Sequence, residues 1–253
     1  RPHNREDQAD PERLTETSLE QVNANKDFRE IAQFFGALTY LHLVPQLLKH
    51  TELGAAALLE GDPFGQSFLE RIAKTPDRTR DAKIESALKA CVPNMRDLKF
   101  SRDDATGTPH LEALYEHWRP DAGWQREDQF SDGTLRLLGI MWSLLDGDSL
   151  LLLEEPELSL NESIVRQIPP LLWQMQRKAK HRRQVFVTTH SEALLEHSSV
   201  DPRDVLRLEP SPEGTRVALA TAQEIALVEA GYNVAEAMIR KAPQGQLDQL
   251  SIF

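Results

Sequence analysis

An α/β fold, with helices packed on a sheet, is what the second half of this 253-residue chain predicts, and three observations carry it. Short apolar runs with strand character (149–153, 184–188, 204–208 and 215–219) alternate with helical stretches (134–146, 162–179 and 192–197), the rhythm of a sheet covered by helices. One of those runs, Leu150-Leu151-Leu152-Leu153, has no polar residue for four positions, as a buried parallel strand does. Ahead of them, Met95 to Arg102 and Leu111 to Arg119 flank the turn-forming text Asp103-Asp104-Ala105-Thr106-Gly107-Thr108-Pro109, which predicts a β-hairpin.

The hairpin opens the main lobe, 95–253, and residues 28–94 before it read as a helical subdomain. Ile31, Phe34, Phe35, Leu38 and Leu41 recur at spacings of three and four until Pro45 interrupts, which predicts a helix over Asp27–Leu43. The stretches 65–73 and 80–91 read the same way, with Phe68, Leu69, Ile72, Ile84 and Leu88 on their inner faces. Phe34, Phe35, Leu38, Ile84 and Leu88 are therefore expected to be buried, and their exposure would make this region a docking surface for another chain. Residues 1–27 are charged and poor in large apolar side chains, as a linking segment is. The opening at Arg1 reads as mid-protein text.

Composition narrows the function classes. Forty acidic against 29 basic residues give a formal charge of −11, which argues against a nucleic-acid footprint over the whole surface and leaves room only for a local DNA contact. The one dense basic run, Arg177, Lys178, Lys180, His181, Arg182 and Arg183, reads first as cations complementing a helix C-terminus. A single cysteine, Cys91, excludes an internal disulfide and a multi-cysteine zinc site. The longest apolar runs fall far short of the ~20 residues that cross a bilayer, so no membrane partner is expected and the expected location is cytoplasmic.

Three motifs carry the chemistry. Phe130-Ser131-Asp132-Gly133-Thr134 is a small, hydrogen-bonding turn that opens an apolar helix, and helix N-termini with exposed N–H groups bind phosphate. Taken alone, such a turn is most often only a helix cap. Next, the leucine run ends in Glu154-Glu155-Pro156-Glu157, and ligands in open α/β sheets sit beyond the carboxyl ends of strands. Successive strand side chains point opposite ways, which suits one carboxylate to a hydrated Mg2+ and the other to a water nucleophile. Finally, Val185-Phe186-Val187-Thr188-Thr189-His190-Ser191 is a β-rich run that stops at a histidine.

With these elements in this order, the chain resembles the C-terminal lobe of an ABC-type ATPase head of the SMC/RecF-like and OLD-like group, within the P-loop NTPase fold. Phe130 to Arg136 matches the signature in an SDGT-like form and Leu150 to Pro156 the Walker B strand. Leu158-Ser159-Leu160-Asn161 stands in the D-loop position, and His190 in Thr-Thr-His-Ser matches the switch histidine. Walker B departs from its usual Asp-Glu order by presenting Glu154 then Glu155, and the D-loop has Asn161 where other members often have His or Asp.

The resemblance implies an ATP- and Mg2+-dependent ATPase in which two heads sandwich the nucleotide. Glu155 is then the general base or water-orienting group, Glu154 the metal-side carboxylate and His190 a γ-phosphate sensor. Ser131, Asp132, Gly133 and Thr134 contact nucleotide bound to the other head, and Asn161 couples the two sites. The phosphate cradle G-x-x-x-x-G-K-[ST] does not occur, since none of the twelve glycines precedes a lysine. It is expected in a preceding segment or a separately supplied N-terminal lobe. Implied partners are a second head, DNA and an effector protein. The competing expectation is a weakly hydrolysing ABC-like interaction module that regulates a nuclease or toxin.

Overall fold

The computed structural model describes residues 17, 19–21, 26–49, 68–74, 92, 94–116, 123–145, 149–178 and 183–239. Helix 80–91, with Ile84 and Leu88, lies outside them, as do most of 1–27 and the middle of the basic run.

The first half departs most from the sequence reading. Helix α1 (Arg29–Ala37) stops six residues early, and strand β1 (Thr39–Leu41) follows. Leu38 turns extended at φ −60°, ψ 132°, and Thr39 N donates to Leu150 O at 2.9 Å. A β-branched and an aromatic residue suit a pleated edge, and this pairing outweighs the local 3.6-residue periodicity. Phe34 and Phe35, expected in the core, are 53% and 55% exposed and meet each other edge-to-face, while Leu38 is half-buried. Helix α2 (Pro45–Lys49), which the sequence reading did not anticipate, adds Leu48 to the core, and helix α3 (Phe68–Lys74) supplies Phe68, Leu69 and Ile72 as expected.

The predicted hairpin forms from β2 (Met95–Arg102) and β3 (Pro109–Tyr115), paired antiparallel, and β4 (Trp124–Arg126) adds a third strand that the sequence reading did not anticipate. Asp103 Oδ1 accepts from the N–H groups of Ala105 and Thr106, and Gly107 takes φ 71°, so the turn closes by side-chain and glycine chemistry.

Helix α4 (Asp132–Leu145) is the axle of the molecule. Leu135, Leu138, Met141 and Trp142 join a core with Phe68, Ile72 and Leu111, whereas Ile140 and Leu144 join a second with Leu151 and Leu153. A helix shared by two cores is apolar all round, as its sequence is. Close packing needs Gly139, because a Cβ there would sit 2.1 Å from Leu43 Cδ1.

Strand β5 (Leu151–Glu154) lies between β1 and β6 (Val185–Thr188), both parallel to it, with Leu153 opposite Leu41 and Val187. The expected single helix over 162–179 is two: α5 (Glu162–Val165) and α6 (Ile168–Lys178), which begins with Pro169 and Pro170 in its first turn where their missing N–H groups cost nothing. After α7 (Glu192–Leu195), strands β7 (Leu206–Ser211) and β8 (Gly214–Leu219) form a hairpin of their own and do not join the parallel sheet. Helices α8 (Ala222–Glu229) and α9 (Val234–Met238) close the described chain, each capped by a reciprocal pair, Thr221 with Glu224 and Asn233 with Glu236.

Among the described residues no helix is long and apolar enough to cross a membrane. Arg183, from the basic run, is an interior residue, 5% exposed, donating to the carbonyls of Ser149 and Ser143. It serves the C-terminal turn of α4 and offers nothing to a phosphate backbone.

Candidate functional site

The parallel strands β5 and β6 end side by side, and their carboxyl ends bring the sequence-predicted residues together. Glu154, still on the strand, accepts from the hydroxyl of Tyr40 on β1. Glu155 leaves the strand in a left-handed conformation, φ 41°, held there as its N–H donates to Thr188 O at 3.1 Å. A non-glycine residue in that region costs about 1–3 kcal/mol and persists only where its surroundings over-determine it. The result is that His190 Nε2 lies 3.3 Å from Glu155 Oε1. The imidazole is 90% exposed and the carboxylate 28%, so the pair contributes little to stability and stays open to a ligand.

Glu157, to which the motif assigns no role, ties the two loops. Its Oε1 accepts from the Thr189 hydroxyl at 2.5 Å and from His190 N–H at 3.1 Å. The histidine's backbone is therefore fixed to the acidic loop while its ring remains free to meet a ligand. The third glutamate in Glu-Glu-Pro-Glu was the available signal.

The signature turn lies against this loop. Ser131 Oγ accepts from Thr134 N–H at 3.1 Å and lies 2.9 Å from Thr134 Oγ1, which caps α4. Asp132 is engaged inside the chain, by Lys49 Nζ at 2.7 Å and Gln46 Nε2 at 2.8 Å, so of the four turn residues its carboxylate is the least free. Gly133 is a close-packing position: a Cβ there would stand 3.1 Å from Ser159 O and 3.2 Å from Leu160 Cδ2. Ser159 itself has φ 63°. Asn161 caps α5, its Oδ1 accepting from Ile164 N–H at 3.1 Å and Ser163 Oγ–H at 2.6 Å. Upstream, buried Glu127 accepts from Leu111 N–H and His110 Nδ1, both at 2.8 Å, and anchors the approach to Phe130.

A family model described as "AAA domain, putative AbiEii toxin, Type IV TA system" matches residues 1–196, which take in the signature turn, the acidic loop and His190. The chain belongs to this AAA-domain family. It is thus a nucleotide-binding ATPase domain by family, in keeping with the resemblance that its motifs carry. No curated protein matches it. Solved structures similar to it are SMC ATPase heads. One, described as "Structural biochemistry of ATP-driven dimerization and DNA stimulated activation of SMC ATPases", is 12% identical over 69% of this chain and 98% of that one, with a TM-score of 0.46. The SMC head domain from Thermotoga maritima is 15% identical over 66% and 58%, TM-score 0.41. An SMC head with an extended coiled coil bound to the C-terminal domain of ScpA, from Pyrococcus furiosus, is 9% identical over 59% and 36%, TM-score 0.44. The chain spans less than two thirds of the last two.

The donor set suits Mg2+ held with phosphate. No group of three His, Cys, Asp or Glu side chains that could hold a metal unaided occurs among the described residues. Mg2+ bound through one or two carboxylates, with water and substrate phosphates completing the shell, needs no such group, and Glu154 and Glu155 are the carboxylates at the end of β5.

Proposed function

We propose that this chain carries the signature, carboxylate and switch-histidine half of an ATP-hydrolysing, ABC-type head that works as a nucleotide-sandwich dimer, with DNA as its working partner in repair, chromosome handling or phage defence. The phosphate-binding loop is supplied by an N-terminal segment or lobe outside these 253 residues. The observation that carries the reading is the meeting of Glu155 and His190 at neighbouring parallel strand ends, 3.3 Å apart, with Glu154 beside them.

Each residue then has a role. Glu154 supports Mg2+, which when bound draws charge from the phosphate oxygens. Glu155 orients the attacking water and accepts its proton. His190, its backbone fixed by Glu157, reports on the terminal phosphate. Ser131, Gly133 and Thr134 present a helix N-terminus to nucleotide held by the second head, and Asp132 and Asn161 shape that turn and the adjoining loop from within.

The test is Glu155→Gln in the complete protein, which keeps shape and removes charge. Hydrolysis is expected to fall ~10²–10⁴-fold, the range for a general base, while ATP binding survives and the ATP-bound dimer accumulates. Retained hydrolysis would falsify the assignment. A second reading, a weakly hydrolysing head that regulates a partner nuclease or toxin, is favoured by the exposed Ile31, Phe34 and Phe35 of α1. It predicts that the unmutated protein already turns over ATP so slowly that Glu155→Gln changes little.

A further inference from the structure

Strand β1 is three residues long, and its middle residue is a tyrosine: Thr39, Tyr40 and Leu41 stand opposite Leu151, Leu152 and Leu153. Successive side chains on a strand point to opposite faces. Leu151 and Leu153 go into the core, so Leu152 and Glu154 share the other face, and Tyr40, opposite Leu152, shares it with them. Phe186 on β6 completes a cross-strand row with Tyr40 and Leu152, and the two aromatic residues at its ends are 37% and 44% exposed. Tyr40 is thus the diagonal neighbour of Glu154, a separation that an aromatic side chain spans, and its hydroxyl donates to Glu154 Oε2. That reach depends on the end of α1 at Ala37 and the extended turn of Leu38. A helix continued through residue 41 would carry Tyr40 away from the sheet.

Glu154 is the residue at which the acid pair departs from the usual Asp-Glu order. A glutamate has one more rotatable bond than an aspartate between backbone and carboxylate, so more rotamer freedom is lost when its carboxylate is fixed. The Tyr40 hydroxyl supplies the fixing, through an O–H···O⁻ bond of the charge-assisted kind that is about twice as strong as a neutral one. The bond engages Oε2, and because a carboxylate accepts at both oxygens, Oε1 is left for water or a cation. Thr188, the neighbour of Glu154 on β6, is turned to the N–H of Glu155 at 3.3 Å. Among the described residues Tyr40 is therefore the side chain that orients the Glu154 carboxylate.

We propose that Tyr40 is a positioning residue for Glu154, its hydroxyl holding the longer carboxylate of this acid pair in one place at the end of β5. On the ATPase reading above, on which this rests, Glu154 then meets the hydrated cation of Mg2+·ATP already ordered. Tyr40 acts through Glu154, and β1 is part of the site and not only an edge of the sheet.

The experiment compares Tyr40→Phe, Glu154→Asp and the pair in the complete protein. Tyr40→Phe removes the hydroxyl and keeps the ring. Loss of a partner that orients a metal-binding group typically costs about 10–100-fold in metal affinity or activity, so the Mg2+ concentration for half-maximal hydrolysis should rise about tenfold or more. KM for ATP at saturating Mg2+ should change less than about threefold. Mn2+ taken up with a non-hydrolysable ATP analogue, read by its electron paramagnetic resonance signal, should weaken to the same extent without any turnover. In the Glu154→Asp background the shorter carboxylate no longer reaches the hydroxyl, so adding Tyr40→Phe should change Mn2+ affinity no further. Unchanged Mn2+ affinity in Tyr40→Phe overturns the proposal, as does an equal weakening in both backgrounds.

A complete protein that binds no nucleotide fails the ATPase reading and the Mg2+ role with it, and the contact is then judged on thermal unfolding. Tyr40→Phe and Glu154→Ala together should lower the melting temperature by less than the sum of their single effects, because either one alone already breaks the bond. Additive effects would overturn the contact itself.

Discussion

The described residues hold two three-stranded sheets that use their side chains in opposite ways. In β2–β3–β4 polar side chains run along the strands, and ion pairs cross them, Arg96 to Glu116 at 2.9 Å and Lys99 to Glu112 at 3.1 Å. In β1–β5–β6 the strands are three or four residues long, and β5 is leucine up to its last position. Leu151 and Leu153 point into the core, Leu152 stands on the other face between the exposed Tyr40 and Phe186, and the strand carries no charge until Glu154 at its carboxyl end. The antiparallel sheet dissipates charge over an exposed surface, while the parallel one concentrates it at one edge, and the candidate site stands at that edge.

The same truncation made in both sheets breaks the comparison hardest. Leu153 in β5 and Leu111 in β3 are 2% and 0% exposed, and Leu→Ala in a core costs about 2–5 kcal/mol. Both variants are expected to unfold at lower denaturant by similar amounts. Only Leu153→Ala, one residue from Glu154 and two from Glu155, should also reduce ATP turnover when assayed where both are folded. Equal turnover losses would mean that the edge is not a separate functional unit.

A smaller effect sharpens the link between signature turn and acid loop. Gly133→Ala places a methyl 3.1 Å from the carbonyl of Ser159, a backbone atom that yields only if the loop moves. Overpacking of this kind costs about 1–3 kcal/mol. Chemical denaturation should show that loss, and turnover should fall with it because the loop carries Glu155 at its start. Gly107→Ala, in the antiparallel hairpin with open space around it but φ 71°, should cost stability alone.

What was legible in the sequence follows the same division. The leucine run and the run ending in Thr-Thr-His could be placed because uninterrupted apolar text has few other readings, and the fold class came with them. Tyr40, which meets Glu154, was missed because a three-residue strand was hidden inside a helical periodicity and showed itself only by pairing with β5. The burial expected of Phe34 and Phe35 failed for a related cause: periodicity shows that a face is apolar, not that something covers it. Asn161 was read for its place in a motif, although Asn-Glu-Ser before an apolar helix is also a cap signal. Pro169 and Pro170 were visible markers of the break between α5 and α6. Lys49 carried no local signal of its pairing with Asp132, and the bonds from Glu157 to Thr189 and His190 exist only once the ends of β5 and β6 lie side by side.

The smallest expected effect tests the antiparallel side on its own terms. Glu112 on β3 accepts the Ser101 hydroxyl at 2.6 Å and faces Lys99 Nζ at 3.1 Å. The Ser101 hydrogen bond holds its carboxyl below the ordinary 4.5, burial opposes this, and the pair with Lys99 adds to the lowering. A carboxyl whose pKa is lower folded than unfolded stabilises the fold above the unfolded value, and that contribution disappears as pH falls through the folded one. Glu112→Gln should therefore melt slightly below the unmutated chain near neutral pH, by about 1–2 °C given that cross-strand and partly exposed ion pairs are worth about 0.2–1 kcal/mol. The gap should narrow as pH is lowered through and beneath the ordinary glutamate range. A gap constant with pH would show that Glu112 acts by shape and hydrogen bonding and not by charge, and the antiparallel sheet would then owe its pairing to register and burial.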